Sequence, residues 1–405
     1  MLQFPKNFLW GAATSSYQVE GNNINSDWWP WEIAQGKEQS GLACRHYELY
    51  EGDFDIAKSL NHNAHRLSIE WARIEPRQGE FSDKELKHYV DVIVALKARG
   101  IEPMVTLHHF TNPIWFSQLG GWESRRTAEF FTRYCEVVVG VLAQHVRYWI
   151  TINEPTIYSS HAYIFGTWPP QVKSFLRAKK VQDHQIQAHI KAYRRIHKIY
   201  EEHHLSKPAV GISHHMPAIV ACQDNFKNRL AVYLRDQVYN YWVLDGLRRS
   251  KTMDFIGLNY YSRHLVEAKN WSLGSLLWDT CQDNHRPLEK NFLGWDIYPQ
   301  GLQQVLLKLK KYNLPVFITE NGICASDDGQ RWQFIHDHLK NIALAIKQGV
   351  DVRGYLYWSL LDNFEWHNGY GPRFGIVDVN YLTFQRTLRE SAKKFAQVCK
   401  NGILE

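Results

Sequence analysis

Eight short runs of apolar and β-branched residues punctuate this chain, and long amphipathic stretches separate them. The runs cover 8–14, 63–69, 101–108, 146–152, 208–214, 253–259, 314–319 and 352–358. Each is apolar nearly throughout instead of alternating, the pattern of a parallel strand buried on both faces. The clearest helix lies between the second and third runs, over 82–99. Ser82 and Glu85 make a capping box, Leu86, Tyr89, Val90 and Ile93 fall on one face, and Gly100 follows as a stop. Stretches 127–143, 182–203, 227–247, 301–311, 330–347 and 386–400 read the same way. No Pro/Ser-rich linker or shift in composition divides the 405 residues. Strand and helix alternating eight times in one undivided chain predict an α/β fold, a single (β/α)8 TIM barrel spanning 1–405. An open doubly wound sheet is the competing arrangement. It calls for a phosphate-cradling G-x-G-x-x-G after an early strand, and the sequence has none.

Composition removes several function classes. The net charge of +6 comes from scattered pairs such as Arg125-Arg126 and Lys179-Lys180, interleaved with acids. Without a basic run or arm, a nucleic-acid partner is not expected. The apolar stretches fall far short of the roughly 20 residues that span a bilayer, so neither is a membrane. The opening 18 residues hold one Lys and no continuous apolar core, unlike a secretory leader. Cys44, Cys135, Cys222, Cys281, Cys324 and Cys399 are widely spread with no C-x-x-C pair. They are expected to be free thiols in a reducing compartment, which assigns the chain to the cytoplasm. The pairs His203-His204 and His214-His215, and His336 with His338, lack helical metal-ligand spacing, so they are read as surface or structural residues with no metal. Nothing in the sequence identifies an oligomeric partner.

In a (β/α)8 barrel the site forms at the C-terminal ends of the strands, and here those ends are unusually polar. The first run leads to Gln18 and Glu20, and the second contains Arg66. The third ends at His108-His109, the fourth at Asn153-Glu154, and the sixth at Asn259-Tyr260-Tyr261. The seventh ends at Glu320-Asn321, and the eighth at Trp358, with Glu365 and Trp366 close behind. One such ending is as readily a helix cap. Seven together predict a common pocket. Glu154 and Glu320 stand out, because strands four and seven lie on opposing sides of the ring. Paired carboxylates are the machinery of glycoside hydrolysis: one must be ionised beside the anomeric carbon, while the other carries a proton for the leaving group. The 16 Trp, 21 Tyr and 19 Phe fit a large aromatic core with some rings free to face sugar.

The segments "FPKNFLWGAATSSYQVEG", "TINEP", "FITENG" and "YWSLLDNFEW", in that order, resemble glycoside hydrolase family 1, the β-glucosidase-like retaining enzymes. "HRLSIEWARIEP", "TLHHFTNPIWF", "GGW", "IGLNYYS" and "GWDIYPQGL" extend the resemblance over nearly the whole chain. It implies that Glu320 is the nucleophile and Glu154 the acid/base. Asn153 would hold the sugar's 2-hydroxyl, and Arg66 and Tyr261 would flank the nucleophile. Gln18, His109, Trp122, Asn259, Trp358, Glu365 and Trp366 would complete the sugar pocket, with Trp168 as an aglycone platform; Trp278 is either a second platform or ordinary loop packing. The carboxyl groups should then sit about 5–5.5 Å apart. Glu365 would accept from a neutral sugar's hydroxyls and repel a 6-phosphate carrying about −1.5 to −2 charges. The departures from the family pattern fall in loops: the chain is short around strands five and six, and 263–291 matches nothing in it.

The expected activity is thus exo-acting hydrolysis of neutral β-glucosides, and of β-galactosides and β-fucosides, by double displacement. The substrate would be a small β-linked oligosaccharide or an aryl or alkyl β-glycoside, and no cofactor is required. Two other classes are a non-catalytic sugar-binding barrel and an endo-acting β-glucanase. The first would be expected to lack one of the glutamates, and the second to carry an open groove in place of a pocket.

Overall fold

The computed structural model describes residues 1–281 and 287–405. Eight parallel strands close into a barrel: β1 (Leu9–Ala13), β2 (Ala64–Ser68), β3 (Glu102–His108), β4 (Tyr148–Asn153), β5 (Ala209–His215), β6 (Phe255–Asn259), β7 (Val316–Asn321) and β8 (Val352–Trp358). Each pairs with its neighbours in chain order, and β8 closes on β1, with Trp358 opposite Ala13. All eight runs read from the sequence are these strands, with ends shifted by up to two residues. After each strand comes a helix: α1 (His46–Ser59), α2 (Asp83–Ala98), α3 (Thr127–Leu142), α4 (Phe175–Glu202), α5 (Trp242–Ser250), α6 (Pro299–Leu309), α7 (Asp328–Lys347) and α8 (Glu390–Asn401). Half of the capping box forms at α2: the Ser82 side chain accepts from the Glu85 amide at 3.3 Å, while the Ser82 amide donates to the Ile74 carbonyl at 2.9 Å instead of to Glu85.

Two apolar layers hold the barrel. Inside it, Ala13, Ala64, Met104, Ile150, Phe255, Phe317 and Leu356 fill the ring from successive strands. Phe255 meets Phe317 edge-on at 5.2 Å, so the interior is a packed plug beneath the strand ends. Outside it, one continuous cluster joins the strands to the helices. Burial on both faces is why the strands read as unbroken apolar runs.

Three expectations are corrected. The stretch 227–247 is not one helix: Phe226–Arg235 is followed by a wide π-turn over Asp236–Tyr241 before α5. The widened turn leaves the Asn240 carbonyl for His214 Nε2, at 3.0 Å, while the Asn240 amide donates to Asp236 at 2.6 Å. Residues 386–388 form a strand paired with Val377–Val379, so α8 starts later. Cys222 and Cys281 are joined in a disulfide, with Cα atoms 6.0 Å apart, whereas Cys44, Cys135, Cys324 and Cys399 are buried free thiols. Their separation of 59 residues conceals a contact made only when the strand Ala218–Ala221 pairs with Arg263–Val266. The thiol argument for a reducing compartment falls with that pairing. His214 and His215 are buried on β5, the structural one of the two readings given for them. Among the described residues, no helix is long and apolar enough to cross a membrane.

Candidate active site

β4 ends in Asn153, and Glu154 then takes a left-handed backbone with φ at +43°. That conformation is costly for a residue with a side chain and is kept only where the surroundings enforce it. Here the Glu154 amide donates to the Ser213 carbonyl at 2.7 Å, and Pro155 opens the short helix Pro155–Ser160. The Glu154 side chain makes no capping bond to that helix, so the cap reading fails. It turns into the barrel mouth, where Asn259 Nδ2 donates to Glu154 Oε1 at 2.8 Å. The β4–β5 register shifts between Ile150 and Asn153, and the β6–β7 register between Ile318 and Glu320. Such irregularities re-aim side chains, and both lie at the strand ends that carry the glutamates.

The buried Arg66 on β2 reaches across to both of those ends. Its Nη1 pairs with Glu320 Oε1, and its Nη2 donates to Asn153 Oδ1 at 2.6 Å. Tyr261 Oη donates to the other Glu320 oxygen at 2.6 Å. Both Glu320 oxygens are therefore held by donors. Glu154 has one amide donor, and burial, followed by the charge of Glu320, pushes its pKa well above the ordinary carboxyl range. Glu320 thus has a guanidinium and a phenol on its oxygens, whereas Glu154 has a single amide donor and a proton favoured by burial. Arg66→Ala leaves Glu320 without its cation, and loss of one partner from a buried pair costs about 3–5 kcal/mol. We expect a clear drop in melting temperature, read by calorimetry against Arg66→Lys, which keeps the charge.

The remaining residues named from the sequence fall into four positions. His109 Nε2 lies 3.2 Å from Asn153 Nδ2, and its ring stacks toward Trp358 and Trp366 with centroids 5.9 and 6.1 Å away. Gln18 Nε2 donates to the Phe364 carbonyl at 2.8 Å and reaches Glu365 at 3.4 Å. Glu365 is raised to about 8 by burial and then by the charge of Glu320. Trp168 stacks on His161 at 4.4 Å, donates to His367 at 2.9 Å and lies beside Trp366. Trp122 is placed differently. It is fully buried, donates to Asn112 Oδ1 at 2.9 Å, and packs on His108, Phe116 and Phe131 behind the pocket. Phe110 stands nearer, against His109, Trp168 and Trp366.

Several supporting residues gave no signal in the sequence. Ser213 and Thr319 donate to Asn259 Oδ1 at 2.8 and 2.7 Å, which turns the Asn259 amide group toward Glu154 and Asn153. Both sit inside strands, where a hydroxyl is unremarkable. His215 Nδ1 lies 3.3 Å from Tyr239 Oη at the barrel mouth. Gly322 could have been noticed: a Cβ there would lie 1.8 Å from the Trp358 carbonyl oxygen. Only glycine lets the end of β7 approach β8 so closely. Gly322→Ala should shift Glu320 or Trp358 and cut kcat/KM by roughly 100-fold, the scale of a 1 Å misplacement. Steady-state kinetics on an aryl β-glucoside would show it.

The glycosyl hydrolase family 1 model matches residues 1–251 and 247–403. Beta-glucosidase A of Thermotoga maritima is 32% identical over 100% of this chain and 99% of its own length. A beta-galactosidase of Pyrococcus woesei is 30% identical over 99% of this chain and 98% of its own. Among solved structures, a beta-glycosidase from Pyrococcus horikoshii superposes with a TM-score of 0.91 at 37% identity, covering 100% of this chain and 96% of that one.

Proposed function

The chain belongs to glycosyl hydrolase family 1 and is a retaining β-glycosidase, and from that premise we propose which residues carry the reaction and on which sugars. The observation that supports the assignment is the unequal treatment of the two glutamates. Glu320, paired with Arg66 and Tyr261, attacks the anomeric carbon. Glu154, buried and protonated, gives its proton to the departing oxygen. Once the glycosyl ester forms, Glu320 carries no charge. The repulsion that added to burial in raising Glu154 is gone, and its carboxylate can accept a proton from the attacking water. Water then displaces Glu320 and releases the β-sugar. Asn153, held by Arg66 and facing His109, is placed to meet the 2-hydroxyl, a contact that strengthens as the ring flattens.

Gln18 and Glu365 meet at 3.4 Å, and as a polar end to the sugar pocket they support release of single sugars from a chain end. Neutral β-glucosides and β-galactosides are the proposed substrates, in line with the activities named for the relatives. Charge alone does not make Glu365 reject a 6-phosphate. In the empty pocket it is mostly uncharged at neutral pH and ionises as pH rises through about 8. Burying a dianion beside Glu320 is costly on its own account. Glu365→Gln should lower kcat/KM on an aryl β-glucoside at neutral pH by roughly 2- to 10-fold, the worth of a hydrogen bond between uncharged groups. The test of the assignment is a panel of 4-nitrophenyl β-glucoside, β-galactoside, β-fucoside and the 6-phosphates. Turnover of the neutral members with little of the phosphates supports it. A preference for the phosphates, or no turnover, overturns it.

A further inference from the structure

Glu70, two residues past the end of β2, is a fully buried carboxyl that the reaction above does not use. Burial, followed by the charge of Glu20, lifts its pKa to about 7, so enclosing it is costly. The nearby cation is engaged elsewhere: Arg73 Nε donates to Glu20 Oε2 at 2.9 Å. As the cap of the four-residue helix Trp71–Ile74, Glu70 accepts one bond, from the Ala72 amide at 3.3 Å. Capping does not explain the residue, because serine or aspartate in contact with water caps a helix as well or better.

The shorter bonds to its carboxyl come from the two neighbouring strand ends. Thr111 Oγ1 donates to both Glu70 oxygens, each 3.0 Å away, and Ser16 Oγ donates to Oε2 at 3.2 Å. Ser16 opens the short helix Ser16–Val19, which carries Gln18 beyond β1. Its amide is fixed as well, donating to Ser68 Oγ on β2 at 2.7 Å. Thr111 closes the bend beyond β3. Its amide donates to the His109 carbonyl at 2.9 Å, across Phe110 with φ at +70°. A left-handed backbone at a phenylalanine is strained and persists only where its surroundings enforce it. Ser16, Thr111 and Glu70 are all buried, so water does not readily replace a bond lost among them.

We propose that Glu70 is a positioning residue for the sugar pocket: by accepting from Ser16 and Thr111 it locks the segments after β1 and β3 together, and so places Gln18 and His109. One carboxyl thereby joins three consecutive strand ends from behind the pocket. The inference rests on the placement of Gln18 and His109 in the sugar pocket given above.

The test is a set of kinetic constants on 4-nitrophenyl β-glucoside. Glu70→Gln keeps the shape, but either way round its NH2 faces a donor, the Ala72 amide or the Ser16 hydroxyl. KM should rise roughly 3- to 10-fold, the worth of one hydrogen bond, with kcat nearly unchanged. Thr111→Val, which removes only the donor, should do the same. The double variant should lie within about twofold of the worse single one, because both changes break one contact. A carboxyl that served stability alone would lower the folded fraction, and with it kcat and the melting temperature, and leave KM where it was. If Glu70→Gln does not fold, Thr111→Val and Ser16→Ala carry the comparison, each with a raised KM. An unchanged KM in Thr111→Val and in its Glu70→Gln or Ser16→Ala counterpart, or a double variant whose loss is the product of the singles, overturns the proposal. Gln18→Ala separates the two readings. If it raises KM while the other variants do not, the positioning role alone fails; if it leaves KM unchanged, the pocket assignment fails and this inference with it.

Discussion

Glu320→Gly should lose turnover of aryl β-glucosides by roughly 10⁵-fold or more, the scale seen when an essential nucleophile is removed. The protein should remain folded. Glu320 is buried, but it is held by Arg66 and Tyr261 and not packed into the apolar plug. Its loss leaves a hole beside a guanidinium, into which a small anion fits. Added azide should then restore turnover and give a glycosyl azide of inverted configuration, because azide attacks once from the face that Glu320 occupied. A variant that stays active without azide would remove Glu320 from the mechanism.

Glu154→Gln should act differently. Proton transfer by a placed side chain contributes about 10²–10⁴-fold, and all of it is at stake where the leaving group is a poor one. Glycosides of alkanols should lose most of that range, whereas a dinitrophenol that leaves without help should lose little in the first step. The pH profile supplies a second readout. As the proposed acid, Glu154 has to be protonated to begin the reaction, so activity should be present below its raised pKa and be lost as pH rises through it. In Glu154→Gln that descending limb should vanish, while the acid limb remains. Profiles on substrates of matched sugar and graded leaving groups would reveal both effects. A variant with equal losses across the series, and an unchanged alkaline limb, would mean that another group is the acid.

The barrel could be read from the sequence because its strands are buried on both faces and its helices on one. Those two periodicities leave different marks, and a closed ring needs both in alternation. The glutamates were legible because a strand end in a barrel faces one common mouth. What the sequence concealed was set by tertiary contact. The π-turn at Asp236–Tyr241 is decided by His214, a partner more than twenty residues away. The Cys222–Cys281 bond depends on a strand pair outside the barrel. Trp122 was misplaced because its motif says that an aromatic belongs there, not which side of His108 it lies on. Phe110, with φ at +70°, turns toward the pocket by a backbone bend that no residue pattern announces.

The covalent intermediate is the claim on which the account turns. Incubation with 2-deoxy-2-fluoro-β-glucosyl fluoride, followed by intact mass and peptide mapping, tests it most directly. The fluorine slows both steps, and the good leaving group lets the first outrun the second. The account predicts time-dependent inactivation, one added fluoroglucosyl mass, and the label on Glu320. A label on any other residue, or hydrolysis with no trapped adduct and an α-sugar as the first product, would contradict it.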